Sequence, residues 1–335
     1  MSDLSDLTEG APRSARAALE AAGLSVEQLR PLCELQPLRS WMNLLLTMAT
    51  CLGVPLLAWA FPHPVSYVFC VCLAIHNFNA LAQLVHASDH GTLSRNKRFN
   101  VLVGNLCAYP LGYNRSGHRN AHQDHHLYLN IERDPDLIWN PPDQSLHGLA
   151  HAFIQDILLL SASKRFVQYF QGNRGSYAGS LWSGLDSRLF GNLVKSIWPV
   201  AAMQSAIFLL FAMTAGPRFY LWLHVLPLVT LYPAQIRVRS MVEHGFASGE
   251  ETSGRDDVWV SRTTYPNFLE RFIIAPLGQN YHYEHHLFPG IPEYNLGKVH
   301  RLLVDAGVPV SISPGYVRFL LRKISAERRA VGAEA

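Results

Sequence analysis

From Trp41 to Ser88 the chain of 335 residues contains no aspartate, glutamate, lysine or arginine. A soluble core rarely leaves so long a run without a surface charge, and roughly 20 apolar residues span a hydrocarbon layer. The run accommodates two crossings and a tight turn. Formal charge is missing again from 196 to 217 and from 219 to 236, with Arg218 alone between them. Phe61-Pro62-His63-Pro64 and Gly216-Pro217-Arg218 supply the breaks, because proline disfavours helix continuation. The pattern predicts an all-α integral membrane protein with four transmembrane helices in two hairpins, near 41–61, 65–86, 196–215 and 219–237. Trp41, Trp59, Trp198 and Trp222 fall near helix ends, where amphipathic rings favour the interface.

Other absences narrow the chemistry. The five cysteines, Cys33, Cys51, Cys70, Cys72 and Cys107, include no Cys-x-x-Cys pair, so no rubredoxin-like or redox-active site is expected. Odd in number and several in apolar sequence, they read as buried small hydrophobes. The net charge of +3 comes without a long basic run, stacking aromatics or a zinc-finger spacing, so nucleic acid has no support as a partner. The first 40 residues lack the basic, apolar, small-residue pattern of a cleavable signal. Residues 1–40 read as a cytoplasmic amino-terminal segment, 41–310 as the membrane domain and 311–335 as a cytoplasmic carboxy-terminal tail. Arg95, Lys97, Arg98, Lys164, Arg165, Arg188, Lys195, Arg237 and Arg239 flank the predicted helices on one side. The positive-inside rule makes that side cytoplasmic.

What the chain has in quantity is histidine, 16 in all. Residues three or four apart share a helix face, and the histidines cluster at that spacing. His86 and His90 form a pair. His122, His125 and His126 form a triplet, with His118 one turn earlier, and His282, His285 and His286 repeat the triplet. Each cluster falls on the predicted cytoplasmic side, and His244 follows the fourth helix. Two triplets and a pair point to metal.

The donor type restricts the centre. A ferritin-like carboxylate site would show Glu-x-x-His elements, which are missing here. One catalytic zinc needs three protein ligands and an open position, fewer than the histidines on offer. Two metals with four or five nitrogens each fit the count, and imidazole suits iron, copper, zinc and nickel alike. His118 reads as an orienting neighbour or a holder of water beside the ligands. His63, His76, His147, His151, His224 and His300 lack the repeated spacing and read as structural.

The clusters resemble the three histidine boxes of the membrane fatty acid desaturase superfamily, whose members include diiron desaturases and hydroxylases. The first box is His86-Ala-Ser-Asp-His90. The second is His122-Gln-Asp-His125-His126 followed by Asn130. The third is Asn280-Tyr-His282-Tyr-Glu-His285-His286-Leu-Phe-Pro289. Order and spacing correspond from about residue 40 to residue 300. The resemblance implies a cytoplasmic helical cap holding two non-heme irons, with His86, His90, His122, His125, His126, His244, His282, His285 and His286 as ligands. It also implies that Asn280 holds iron indirectly through water.

The activity so implied is oxygen-dependent formation of a carbon–carbon double bond in a fatty-acyl lipid or related aliphatic substrate, with O2 as co-substrate. Reduced dioxygen at iron breaks C–H bonds that acid or base side chains cannot. A hydroxylase or ketolase acting on a lipid, terpenoid or small aliphatic metabolite shares the same boxes, and fold alone does not choose the product. Apolar segments around Val101–Tyr113 and Leu149–Leu160 offer a place for lipid, or interfacial helices. The non-enzyme reading is a membrane metal transporter or sensor. It would need polar groups along a transmembrane path, whereas both hairpins lack Asp and Glu. No His-Pro-Gly-Gly signature of a fused cytochrome b5 domain is present, so a separate electron carrier such as a ferredoxin or cytochrome b5 is expected. Basic residues near 95–98 or 164–165 suit an acidic carrier. The compact chain favours a bacterial inner membrane.

Overall fold

A computed structural model describes residues 14–131, 134–139, 145–161, 163, 189–244 and 261–334. Lys164, Arg165 and Arg188 lie outside the described residues. In chain order the helices are α1 (Ala15–Ala22), α2 (Pro37–Ala60), α3 (Pro64–His90), α4 (Lys97–Ala108), α5 (Arg115–Leu127) and α6 (Leu146–Ile157). They continue as α7 (Leu189–Met213), α8 (Pro217–His244), α9 (Phe268–Ile273), α10 (His282–Leu287), α11 (Glu293–Asp305) and α12 (Tyr316–Glu334). The protein is all-α apart from one departure from the sequence expectation. Two short strands, β1 (Thr263–Thr264) and β2 (Ile312–Ser313), pair in parallel, Thr263 with Ile312 and Thr264 with Ser313.

Contacts divide the chain into two compact units: residues 35–123 with 155–234, and residues 1–34 with 124–154 and 235–335. We call them the apolar and the polar unit. In the apolar unit, proline and glycine set the helix ends as the sequence predicts. α2 stops at Ala60, and Pro64 opens α3 at the first helical position, where its missing N–H costs nothing. His63 caps α3, its Nδ1 accepting the Val65 N–H at 3.3 Å. Gly91, in the left-handed region at φ 72°, closes α3.

Among the described residues three helices are long and apolar enough to cross a membrane: α2, α3 and α8. The apolar part of α7 is shorter, Ile197–Met213. α3 has 67% of its apolar window buried, against 28% for α2 and 22% for α8, so α3 is the inner helix. Leu45, Leu46, Leu52 and Leu56 of α2 stay exposed, as do Trp41, Trp59, Trp198 and Trp222. Exposed apolar surface on this scale suits lipid rather than water.

Helix ends differ from expectation where the polar ends of the helices remain regular. α3 runs to His90 rather than 86, so the whole first box is helical. α8 runs to His244 rather than 237, with a π-helical turn at Leu221–Val225. His244 is therefore the last residue of the helix rather than just past it. Cys33 is exposed, against expectation, while Cys70 and Cys107 are buried.

Close packing in the apolar unit depends on Gly104 of α4. A Cβ there would collide with the side chains of Ser88 and Arg115. The gap admits the Arg115 guanidinium, whose Nε donates to Ser88 Oγ at 2.8 Å and lies 3.2 Å from Asp89.

The polar unit is built on a core of Ala18, Tyr283, Leu287, Ile291, Leu296, Val299, Leu303 and Val308. A second cluster joins Val242, Ala275, Tyr316 and Phe319. The segment 311–335 thus contributes a strand and a helix with buried side chains. Gly278, at φ 81°, lets the chain enter the third histidine box where a Cβ would meet the Glu293 carbonyl.

Candidate metal centre

In the polar unit the third box lies on α10, a helix of six residues, all buried. His282 and His286 are four apart and share a face. His282 Nε2 is 2.9 Å from Nε2 of His244 and 3.1 Å from Nε2 of His286. The His125 ring stands 4.8 Å from that of His244 and 5.1 Å from that of His286. Potential donor atoms of these four residues all lie within 4.8 Å of one another.

Such a set is hard to satisfy with protons alone, since a neutral imidazole has one N–H to give. Metal–imidazole bonds of about 2.1 Å bring donors at right angles to within ~3 Å of each other, the separation seen here. Burial, and secondarily electrostatic repulsion with neighbouring His285, holds His282 well below the usual histidine range. His286 is pushed down by burial and then by His126. Both rings are neutral at physiological pH, the form a metal requires.

His125 is different. Burial opposes its protonation, but Asp134 and Asp136 outweigh that and raise it to about 9. Its Nδ1 donates to Asp134 Oδ1 at 2.9 Å, which fixes the ring orientation. Asp134 is itself held by the backbone N–H groups of Asn130 and Asp136, at 2.8 and 2.9 Å. Asn130 adopts φ 59° and donates its amide to the His244 carbonyl at 2.9 Å. One asparagine therefore ties the end of the second box to the end of α8.

The other histidines of the polar unit's boxes, His126 and His285, meet at 3.1 Å between their Nε2 atoms. In the apolar unit His86, His90 and His122 converge separately. His90 Nε2 is 2.8 Å from His122 Nε2, and the His86 ring lies 4.8 Å from His90 and 4.4 Å from His122. His118 stands apart with its Nδ1 2.7 Å from Asp89, stacked between Tyr113 and His122. Asn280 donates to the Thr264 carbonyl at 3.1 Å, and its buried Oδ1 has no hydrogen-bond partner among the described residues.

Sequence reasoning missed the carboxylates that hold the rings. Asp89 lies inside the first box, and Asp134 follows the second by eight residues, yet neither carries a spacing that marks it as a histidine partner. Glu243, beside His244, accepts from Arg239 at 2.9 Å and from the Tyr316 hydroxyl at 2.7 Å. Glu284, inside the third box, faces His300 Nδ1 at 2.6 Å and accepts from the Thr263 hydroxyl. His300 also meets the Tyr265 hydroxyl at 2.7 Å, so its structural role is to anchor α10. His63 is a helix cap, and His224 faces Gln204 at 3.2 Å. His147 and His151 are exposed.

Comparison with known proteins agrees with this chemistry. A family model described as fatty acid desaturase matches residues 62–311. Among curated relatives, the dihydrorhizobitoxine desaturase of Bradyrhizobium elkanii is 27% identical over 250 residues, covering 71% of this chain and 66% of its own length. An sn-1 oleoyl-lipid 12-desaturase of a Picosynechococcus species is 26% identical over 290 residues, covering 81% of this chain and 78% of that one. A Synechocystis enzyme of the same description is 22% identical over 318 residues, covering 86% and 82%.

Proposed function

The chain belongs to the fatty acid desaturase family, and from that premise we propose that it is an oxygen-dependent diiron desaturase of a fatty-acyl lipid or related aliphatic substrate. The observation that carries this reading is the buried quartet His125, His244, His282 and His286, neutral at two positions and oriented by Asp134 at a third. We assign the quartet to one iron. The remaining box histidines, His86, His90 and His122 of the apolar unit and His126 and His285 of the polar unit, are proposed as the other iron ligands, so that the eight box histidines and His244 are all used.

Bound iron supplies the reduction of dioxygen that C–H cleavage requires. The chain's own residues orient and exclude. Asp134 holds the Nδ1–H of His125 so that Nε2 is left for metal, and Asp89 orients His118 beside His122. The buried α10 keeps bulk water from His282, His285 and His286. Asn280 is assigned a water-mediated contact to iron, supported by its buried amide oxygen.

The membrane arrangement proposed is four spans in two hairpins, α2 with α3 and α7 with α8, with the boxes on the cytoplasmic face of a bacterial inner membrane. The apolar exposure of α2 and the tryptophans near helix ends support it. Electrons are assigned to a separate carrier, a ferredoxin or cytochrome b5.

The test is expression in a host supplied with iron, followed by metal analysis and comparison of lipids and small metabolites with a His285→Ala control. A new double bond that depends on His285 supports the proposal. Labelled oxygen in the product, with no new double bond, would assign the chain to the hydroxylases instead.

A further inference from the structure

Arg262 immediately precedes β1 and is 6% exposed. Its backbone N–H bonds the Glu243 carbonyl at 2.6 Å, yet its Nε and Nη1 have no hydrogen-bond partner among the described residues. A guanidinium keeps its proton in proteins, and burial lowers this one only to about 10. It is therefore a buried cation at neutral pH. Buried charges are ordinarily paired or hydrogen-bonded, because desolvation of an unpaired one is expensive.

Among the described residues, the acids of the adjoining elements are already engaged. Glu243 is held by Arg239 and Tyr316. Glu284 is held by Thr263 and His300. Glu270 accepts the N–H groups of Asn267 and Val317. Protein carboxylates in these elements thus have other donors to serve.

The strand register adds two hydroxyls. Thr263 pairs with Ile312, so Arg262 stands opposite Ser311, and Ser313 lies two residues further along the same face. Ser311 and Ser313 are fully buried, and both hydroxyls likewise have no partner among the described residues. None of the three side chains hydrogen-bonds another. A buried cation beside two free hydroxyls is the donor set of an oxyanion.

We propose that Arg262, Ser311 and Ser313 form a binding site for an oxyanion, a carboxylate or phosphate group, inside the polar unit. Its occupant comes from a small free anion or from the head of an acyl compound. Binding here requires no metal, so it stands or falls separately from the desaturase reading.

Thermal unfolding of the full-length protein in neutral detergent tests this at constant ionic strength. Sodium acetate, sodium phosphate and sodium dodecanoate are titrated against sodium chloride. The expected result is a saturable rise in the melting midpoint with at least one oxyanion, absent in Arg262→Gln. Saturation by acetate or phosphate identifies a small anion, whereas a response to dodecanoate alone identifies an acyl head. Should Arg262→Gln fail to fold, the double variant S311A/S313A decides, with half-saturation weakened about tenfold through loss of bonds to a charged group. No saturable rise in the wild type, or equal rises in wild type and Arg262→Gln, overturns the site. An unchanged half-saturation in S311A/S313A removes the serines from it and, where Arg262→Gln does not fold, overturns it as well.

Discussion

At the scale of single residues, the candidate metal centre rests on imidazoles whose protonation and orientation are set by neighbours. His282 and His286 stay neutral because burial makes a positive charge costly, while His125 is held by Asp134. His285→Ala removes a proposed ligand, and iron content and turnover are expected to fall together. Full iron occupancy with normal activity in that variant would contradict the assignment. Asp134→Asn keeps the size of the side chain but weakens the hold on His125. Loss of such a partner typically costs about 10–100-fold in metal affinity or activity, which iron titration measures. His118→Ala should have the smaller effect on iron content, since its bond runs to Asp89.

The histidine clusters were legible in the sequence because helical periodicity is local. His86 with His90, and His282 with His286, declare a shared face by their spacing alone. The carboxylate partners were not legible. Asp134 meets His125 through a turn after α5, and His300 meets Glu284 from a different helix, so neither contact follows a fixed interval. Arg262 was silent for the same reason, since burial of a charge is a tertiary property.

At the scale of elements, helix ends decide where ligands stand. Proline and glycine predicted the breaks at Phe61–Pro64 and near Gly216 because proline's locked φ and missing N–H and glycine's conformational freedom act in any context. The spans predicted for α3 and α8 end with the apolar runs, because hydropathy does not mark where a helix stops. Both helices continue through polar residues to His90 and His244. Asn130 connects the ends of α5 and α8 and adopts a left-handed backbone. Asn130→Ala should lose the amide bond and pay about 1–2 kcal/mol for the backbone, lowering the melting midpoint. Asn130→Gly should recover the backbone part alone, and equal melting of both variants would remove the strain argument. In the apolar unit, Gly104→Leu should drive α4 away from Ser88 and Arg115. Overpacking costs typically about 1–3 kcal/mol, so a drop in folded yield and melting midpoint is expected.

At the scale of the whole molecule, long charge-free helices and histidine clusters divide the labour between lipid and metal. The family is established by a match over residues 62–311, and the three relatives named are all desaturases. The substrates they are named for differ, so family membership leaves the acyl or aliphatic group to be measured. The proposed topology predicts that a cysteine placed at Arg218, in a cysteine-free background, reacts with an impermeant thiol reagent from the outside of intact cells. A cysteine placed at Lys97 should react only after the membrane is opened, and the reverse pattern would invert the topology.

The most direct measurement of the central claim follows one turnover with labelled dioxygen on protein loaded with ferrous iron and chemically reduced. The account predicts two irons per chain, a product two hydrogens lighter than the substrate and no label in that product. Label retained on carbon without a double bond, or unsaturation that proceeds without iron, would contradict it.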